Sequence, residues 1–431
     1  MILKIKEGSE NYACTVVEIK NLFPIEGADR ILRTNVLGNN VIVSKDAAVG
    51  DIMLYFVSGT RLNADFCKWN NLLTDKEQNL DTTKTGYISH KQFRVKAIKL
   101  KGVISDGILL PLDTHSELLK VGDTFTDIGN ISICEKYVSP IARNSNPGGH
   151  KPAVNKFNRL IDNQFYLHNN TDNLRRNMHK INPSDIIGIH YKKHGTSAVF
   201  ANIPTKRVLS WWEKILVIIG IKIDNIVYDI IYSSRTVIKN KSINLNSNLG
   251  FYGEDIWKVV ADEIGDLIPK NWTLYGEIVG YTPSGSAVQK EYDYGCEAGK
   301  HKFYVYKVSI VNADGKVIYL TDKQIEEYCE SVGLLYKDTF IYYGEAKNWN
   351  NSIYINTSND EYWRNKFLEQ LEKHYNEKDC YMCTNKVPEE GIVVRVENLY
   401  SYDAYKLKSK RFILGESDAQ EKGESNLEDE N

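Results

Sequence analysis

The sequence predicts an α+β protein of two domains: a small amino-terminal β-barrel, then antiparallel sheets with flanking helices. Three observations carry this. At 431 residues the chain exceeds the size at which a single core keeps growing. Its first third alternates apolar and polar residues in short runs cut by Gly and Asn. After about residue 160, such runs alternate with segments of helical period.

Residues 1–135 contain TVVEIKNLFPI, RILRTNVLGNNVIVSK, VGDIMLYFV, FRVKAIKLKG and GILLPL. Each reads as one or two short strands with turn residues at its ends. Many short strands with close turns favour a small barrel of OB type, a β-sandwich being the competing arrangement. YVSPIARNSNPGGHKPAVNKFNRL closes this region as a Pro/Gly/Asn-rich connector over 136–160.

Residues 161–415 form the second domain. In GEDIWKVVADEIGDLIP, Ile256, Val260, Ile264 and Leu267 recur at helical spacing until Pro269 stops the helix. A second helix opens on a Thr321/Gln324 capping box, and a third on a Ser358/Glu361 box. The stripe Trp363, Phe367, Leu371 on the third is expected to be core. ILVIIGIKIDNIVYDII (215–231) is interrupted by Lys222, Asp224 and Asp229, so it reads as buried strands and not as a membrane span.

Hydrophobic content of 42% and charged content of 26% describe an ordinary soluble chain. The opening MILKIKEGSE lacks a signal-peptide layout, which predicts a cytoplasmic, reducing location. Seven cysteines then read as free thiols, with a structural zinc at Cys380, Cys383 and His374 as the alternative. The net charge of −2 conceals an asymmetry: residues 416–431 carry seven acids and one lysine, leaving the rest near +4. That tail is predicted to be disordered, and the mildly basic body suits a polyanion.

The chemistry rests on a lysine three residues before a glycine. The pattern occurs twice, as KLKG (Lys99–Gly102) and KKHG (Lys192–Gly195). Only the second is followed in order by SSR (233–235), LYGEIVG (274–280), KFYVYKV (302–308), EEGIVVR (389–395) and YKLKSK (405–410). A lysine that attacks phosphorus must be neutral, so its site must disfavour the ammonium through nearby cations, a metal or desolvation. Lys406 and Lys408 alternate on one strand and so share a face. Gly195 lets the backbone turn tightly beside a nucleotide.

With this ordered set, the chain resembles the covalent nucleotidyltransferase superfamily, and within it the ATP-dependent RNA ligases. IEGADRI, VGDIMLYF and LKGVISDGILLPL resemble the OB domain that precedes the catalytic domain in one branch. The resemblance implies a nucleotidyltransferase catalytic domain that uses ATP with Mg²⁺ or Mn²⁺. Lys192 would carry AMP, and His194, Gly195, Ser197, Arg235, Glu277, Tyr306, Lys406 and Lys408 would contact the nucleotide. Phe303 and Tyr304 are alternatives to Tyr306 as the ring stacked on adenine. Glu390, with Glu277, would hold the metal. In the OB domain, Arg94, Lys96, Lys99 and Lys101, with Phe93, would meet nucleic acid.

The expected partner is RNA, or an RNA-containing duplex with 5′-phosphate and 3′-OH ends. No membrane contact is expected, and the chain is expected to act as a monomer. Three positions depart from the family pattern. Tyr191 stands where an acid is common, Lys307 where Asp is usual, and the segment from Phe200 to Arg235 is longer and more apolar. No signature of the extra OB lobe of DNA ligases and capping enzymes follows Lys410, which favours an RNA ligase. A DNA ligase, a guanylyl-transferring capping enzyme or a catalytically decayed binding protein are the alternatives.

Overall fold

Alternation in the first 112 residues becomes paired strands, seen in a computed structural model that describes residues 2–112, 118–138, 159–168, 171–240, 252–336, 341–349 and 360–421. Strand β1 (Cys14–Glu18) pairs antiparallel with β4 (Ile52–Phe56), and β4 with β7 (Ile108–Pro111). Between them, β2 (Ile31–Val36) and β3 (Asn39–Ser44) form a hairpin. A second hairpin joins β5 (Ala97–Leu100) to β6 (Val103–Asp106). Both turn on two residues with positive φ, Leu37–Gly38 and Lys101–Gly102. Such primed turns match the twist of the flanking strands. Both faces of β1 are covered: Val16 packs with Phe56 and Phe125, and Val17 with Met53 and Tyr55.

The second domain is built on two mainly antiparallel sheets. In the first, β8 (Ile186–Tyr191) lies between β13 (Tyr342–Glu345) and β14 (Gly391–Glu397), and β14 continues to β15 (Tyr402–Lys408). The second has the order β10 (Ile226–Ser233), β9 (Thr196–Lys206), β11 (Trp272–Gly280), β12 (His301–Val311) at its centre. Helices cover the outer faces. Ile256, Trp257 and Val260 of α2 (Ile256–Ile264) and Ile325 and Cys329 of α3 (Asp322–Val332) pack on Phe200, Leu274 and Val308. Trp363, Phe367 and Leu371 of α4 (Asp360–Tyr375) pack on Ile187, Ile189 and Val394, as their stripe predicts. The Thr321/Gln324 capping box forms as expected. The Ser358 box lies outside the described residues, as does most of the 136–160 connector.

Two expectations are corrected. The segment 215–231 is not a pair of buried strands. Residues Trp211–Ile218 form an exposed helix, α1, and only Ile226–Ser233 is strand, with its first three residues exposed. The Ser210/Glu213 capping box and a doubly bonded Arg207–Glu213 pair start the helix there, which β-branched content alone could not reveal.

The predicted disordered tail also begins too early. Residues 416–421 belong to α5 (Lys410–Glu421), and 422–431 lie outside the described residues. Phe412 and Ser417 are buried, Glu416 meets Lys408 at 2.8 Å, and Glu421 pairs with Lys96. Composition underestimates this helix because part of what holds it, Lys96 of the barrel, is far away in sequence. The two domains meet again at Arg175 and Arg176, which donate to Gly38 O (2.5 Å) and Ala13 O (2.9 Å).

Candidate active site

The four residues Lys192–Gly195 are the link by which the chain crosses from the first sheet to the second. The amide of Lys192 still donates to Gly391 O (2.8 Å), continuing the pairing of β8 with β14. Four residues later, Thr196 starts β9 beside Ile278 of β11. The lysine side chain therefore stands where the sheets part, and lines a pocket between them.

Gly195 has room for nothing larger. A Cβ there would collide with Ile278 O and lie 2.8 Å from both Glu277 Cγ and Val279 Cγ1. The glycine is needed for this close approach, and its amide donates to Glu277 Oε1 (3.2 Å). The side chain of Gln289 holds its carbonyl at 2.7 Å.

Glu390 is fully buried and pairs with Lys192 Nζ at 2.8 Å. It also lies 3.7 Å from His194 Nδ1. Gly391 follows with φ of +147°, and a side chain there would run into Leu407 O. So β14 and β15 approach closely right beside this carboxylate. Burial, followed by the Cys380 thiol, pushes the Glu389 carboxyl up to about 9, with Lys193 acting in the opposite direction.

A β-bulge arranges the opposite wall. Tyr275 faces Lys307 and Gly276 faces Val305, so Tyr306 is the extra residue of β12. Bulges re-aim side chains, and here both Tyr306 and Lys307 line the pocket. The Tyr306 hydroxyl lies 3.4 Å from Ser197 Oγ, and the His168 ring meets the Tyr306 ring edge-on at 5.3 Å. Lys307 Nζ sits 3.6 Å above the Tyr275 ring, and burial lowers its ammonium to about 7. Phe303 turns away into the core against Phe200, whereas Tyr304 remains on the pocket wall. The three candidate rings thus reduce to two.

The pocket is strongly cationic. Lys192, Lys193, Arg235, Lys307, Arg395 and Lys406 line it, against Glu277. Burial, followed by Lys307, Arg235, Lys192 and Lys406, pushes the His168 imidazole well below its usual range, so the ring is neutral near pH 7. Two lining residues are held from behind: His190 Nε2 contacts Asp322 Oδ2 at 2.7 Å, and Arg395 lies 3.4 Å from Asp322 Oδ1 and 3.3 Å from Glu397. The site can bind a polyanion and hold an amine and a carboxylate in contact beside it.

Of the predicted residues, Lys192, Ser197, Arg235, Glu277, Tyr306 and Lys406 line the pocket. Gly195 and Glu390 touch it through Glu277 and Lys192. The His194 ring is packed between Tyr292 and Phe412, with centroids 4.8 and 4.9 Å away. Lys408 bonds Glu416 instead, with Phe412 beneath its ammonium. Sequence reasoning missed His168, Lys193 and Tyr402 as lining residues. It placed Arg395 in a motif without a role, although alternation along β14 puts it on the face of Val393.

Glu277 and Glu390 are the carboxylates available near Lys192. Among the described residues no group of three or more metal-ligating side chains occurs. Two carboxylates with phosphate oxygens and water suit a hard dication. The zinc alternative gathers no third ligand at Cys380 and Cys383 among those residues, and His374 meets the Tyr191 hydroxyl at 3.1 Å.

The expected nucleic-acid residues divide. Phe93 packs against the barrel core. Arg94 is 1% exposed and donates to Ser417 O (2.8 Å) and to the Gln420 side chain, and Lys96 pairs with Glu421. Placing Arg94 at a nucleic-acid surface is corrected: α5 covers it. Lys99 and Lys101 remain exposed at the β5–β6 turn.

The barrel and the two-sheet domain with its crossover lysine define a nucleotidyltransferase-like ligase architecture. An OB-fold domain profile matches residues 13–112, and an RNA ligase profile matches residues 192–412. The chain belongs to the RNA ligase family. No curated protein matches by sequence. Among solved structures, a ligand-free variant of the Naegleria gruberi RNA ligase superposes with a TM-score of 0.59 at 16% identity, covering 95% of this chain and 99% of that one. The same ligase with pyrophosphate gives 0.58 at 16% identity over 94% and 98%. A variant with ATP and Mn gives 0.57 at 16% identity over 97% and 99%. At this identity the likeness carries the fold.

Proposed function

We propose that the chain is an ATP-dependent RNA ligase that joins a 3′-OH end to a 5′-phosphate end through Lys192. The observation that carries this is the Lys192 amine, held 2.8 Å from Glu390 on the wall of a cationic pocket between the sheets. The Naegleria ligase, which shares the fold, was solved with ATP and Mn, with AMP and Mn, and with pyrophosphate.

In the first transfer, neutral Lys192 Nζ attacks the α-phosphorus of ATP. A P–N bond forms, and the bond to the leaving pyrophosphate breaks. In the second, an RNA 5′-phosphate oxygen attacks the same phosphorus and releases the lysine, giving a 5′-adenylylated end. In the third, a 3′-OH attacks the RNA phosphorus, forms the phosphodiester and expels AMP.

Around these steps, Tyr306 or Tyr304 stacks on the adenine, and Glu277 orients the ribose. Arg235 and Lys406 hold phosphate oxygens, while Gly195 keeps the backbone close enough for contact. His194 and Lys408 serve by position, through Glu390 and Phe412. A divalent ion held by Glu390 and Glu277 would neutralise charge on the phosphate oxygens and weaken the hold of Glu390 on the Lys192 proton.

The OB domain grips the strands beside the break, favouring a nick whose 3′-OH strand is RNA. Incubation with α-labelled ATP and Mg²⁺ or Mn²⁺ tests the core of this reading. Label stable to denaturation is expected on wild type and absent from Lys192→Ala. An unlabelled wild type, or an equally labelled variant, overturns it. GTP in place of ATP, and all-DNA in place of RNA-containing nicks, separate the ligase from a capping enzyme or DNA ligase.

A further inference from the structure

We propose that the tip of the hairpin joining β9 to β10 is a peripheral membrane anchor that inserts its apolar side chains into an anionic lipid surface. This departs from the expectation of no membrane contact, and it rests on observations remote from the nucleotide pocket. The tip leaves β9 at Lys206, ten residues beyond Thr196 at the pocket end. At about 3.3 Å per residue the separation is roughly 33 Å. Residues serving the chemistry directly are therefore elsewhere.

The tip reverses the usual distribution of polarity. Trp211 and Trp212 are 60% and 62% exposed, and Ile218 and Ile219 are 82% and 66% exposed. Ile215 and Ile221 are exposed as well, and no residue of α1 is buried. The two indoles stack on each other at 3.6 Å. A contiguous exposed apolar patch of this kind marks an interaction surface.

Several polar groups of the tip, in contrast, bond one another. Arg207 donates to both Glu213 oxygens (3.0 and 2.5 Å) and to Asp224 O (2.9 Å). Ser210 and Glu213 cap the helix, and the Gly220 and Ile221 amides return to Val217 and Leu216 carbonyls. Internal satisfaction of the backbone is what a low-dielectric medium requires.

Composition and charge select lipid over a protein groove or a second copy: along the chain Lys206 and Arg207 are followed by a tryptophan pair and then by isoleucines, residue types that suit headgroup, interface and acyl region in turn. At 100° per residue the apolar side chains other than Val217 span an arc of roughly 160°, and Val217 falls between Glu213 and Lys214 on the other side. Exposed Lys206, Lys214 and Lys222 suit anionic headgroups. Eight residues of helix are about 12 Å long: enough for an immersion of about 5–10 Å, and far short of a hydrocarbon core of about 30 Å.

Flotation of the full chain with vesicles tests this, using phosphatidylcholine alone or mixed with phosphatidylserine. Wild type is expected to float with the anionic vesicles and far less with the neutral ones. Ile218→Lys with Ile219→Lys is expected to reduce the bound fraction about tenfold or more, while Lys192 labelling persists. Lys214→Glu with Lys222→Glu is expected to remove the preference for anionic vesicles. Should the isoleucine variant lose Lys192 labelling through misfolding, Trp211→Ser with Trp212→Ser decides in its place. A wild type that stays unbound, or apolar variants that float as well as wild type, overturns the proposal. So does a wild-type dimer that the variant converts to a monomer without any vesicle binding, since the tip then seats a second copy.

Discussion

The chain carries the same four-residue pattern, lysine three before glycine, in two places whose physics differ at every position. KLKG ends β5 and makes a hairpin turn: Lys101 and Gly102 take φ of +47° and +79°, and a Cβ on Gly102 would meet nothing within 4 Å. Lys99 and Lys101 are exposed. KKHG instead crosses between two sheets. Gly195 has no positive φ but is walled by β11, and Lys192 meets a fully buried glutamate. In the first the glycine satisfies a dihedral demand, in the second a distance demand. The sheets on either side, and not the motif, decide whether a lysine meets solvent or a buried carboxylate.

The sharpest way to break this comparison is to exchange the fates of the two lysines. Lys192→Ala is expected to abolish covalent labelling by α-labelled ATP, and Lys99→Ala to leave it at the wild-type level. Equal effects would show that the crossover does not single out Lys192. The glycines come next. Gly195→Ala forces a methyl against the Ile278 carbonyl, backbone that cannot yield without parting β9 from β11. A loss of labelling of about a hundredfold or more is expected, corresponding to about 3 kcal/mol. Gly102→Ala strains only its own φ and is expected to cost about 1–2 kcal/mol of stability with labelling retained. Thermal melts and labelling on the same preparations distinguish the two.

A smaller effect tests what the first motif does contribute. Lys99→Ala with Lys101→Ala is expected to lower nick sealing several-fold and to reduce the log–log salt slope of RNA binding by up to about 2. Adenylylation of Lys192 should not change. If sealing is equally unaffected, the β5–β6 turn is only a turn and the nucleic-acid face lies elsewhere on the barrel.

Much of this was legible in the sequence, for reasons visible in particular residues. Alternation exposed strands such as β3, where every second residue is buried, and it was weaker in β1, which is covered on both faces. The Trp363, Phe367, Leu371 stripe marked α4, and the Thr321 box marked the start of α3. The order from Lys192 to Lys406 located the pocket because its walls are consecutive strand segments. What stayed hidden depended on partners distant in sequence. Arg94 reads as a surface cation until Ser417 and Gln420 dock on it. His168 belongs to no motif and enters the pocket only through tertiary packing. The run from Ile215 read as core because composition reports hydrophobicity and not the absence of anything to pack against. Lys307 looked like a mere departure until the bulge at Tyr306 turned it inward.

That lysine supplies the finest contrast with exposed Lys101, because burial brings its ammonium down to about 7 from an unfolded value near ~10.4. Below pH 7 both states hold the proton, and the folded protein bears the full cost of a buried charge. Between about pH 7 and 10 the unfolded chain binds the proton and the folded one does not, so this group adds stability as pH rises. The Tyr275 ring, 3.6 Å from the ammonium, favours the charged form and offsets part of that gain. The net effect expected between pH 7 and 9 is about 1–2 kcal/mol. Lys307→Met should remove this rise, whereas Lys101→Met should leave it in place. Denaturant melts of the three proteins at pH 7, 8 and 9 would show it as a difference in slope against pH. A wild-type slope no steeper than that of Lys307→Met would mean that the Tyr275 ring and the pocket keep the ammonium charged across the whole range.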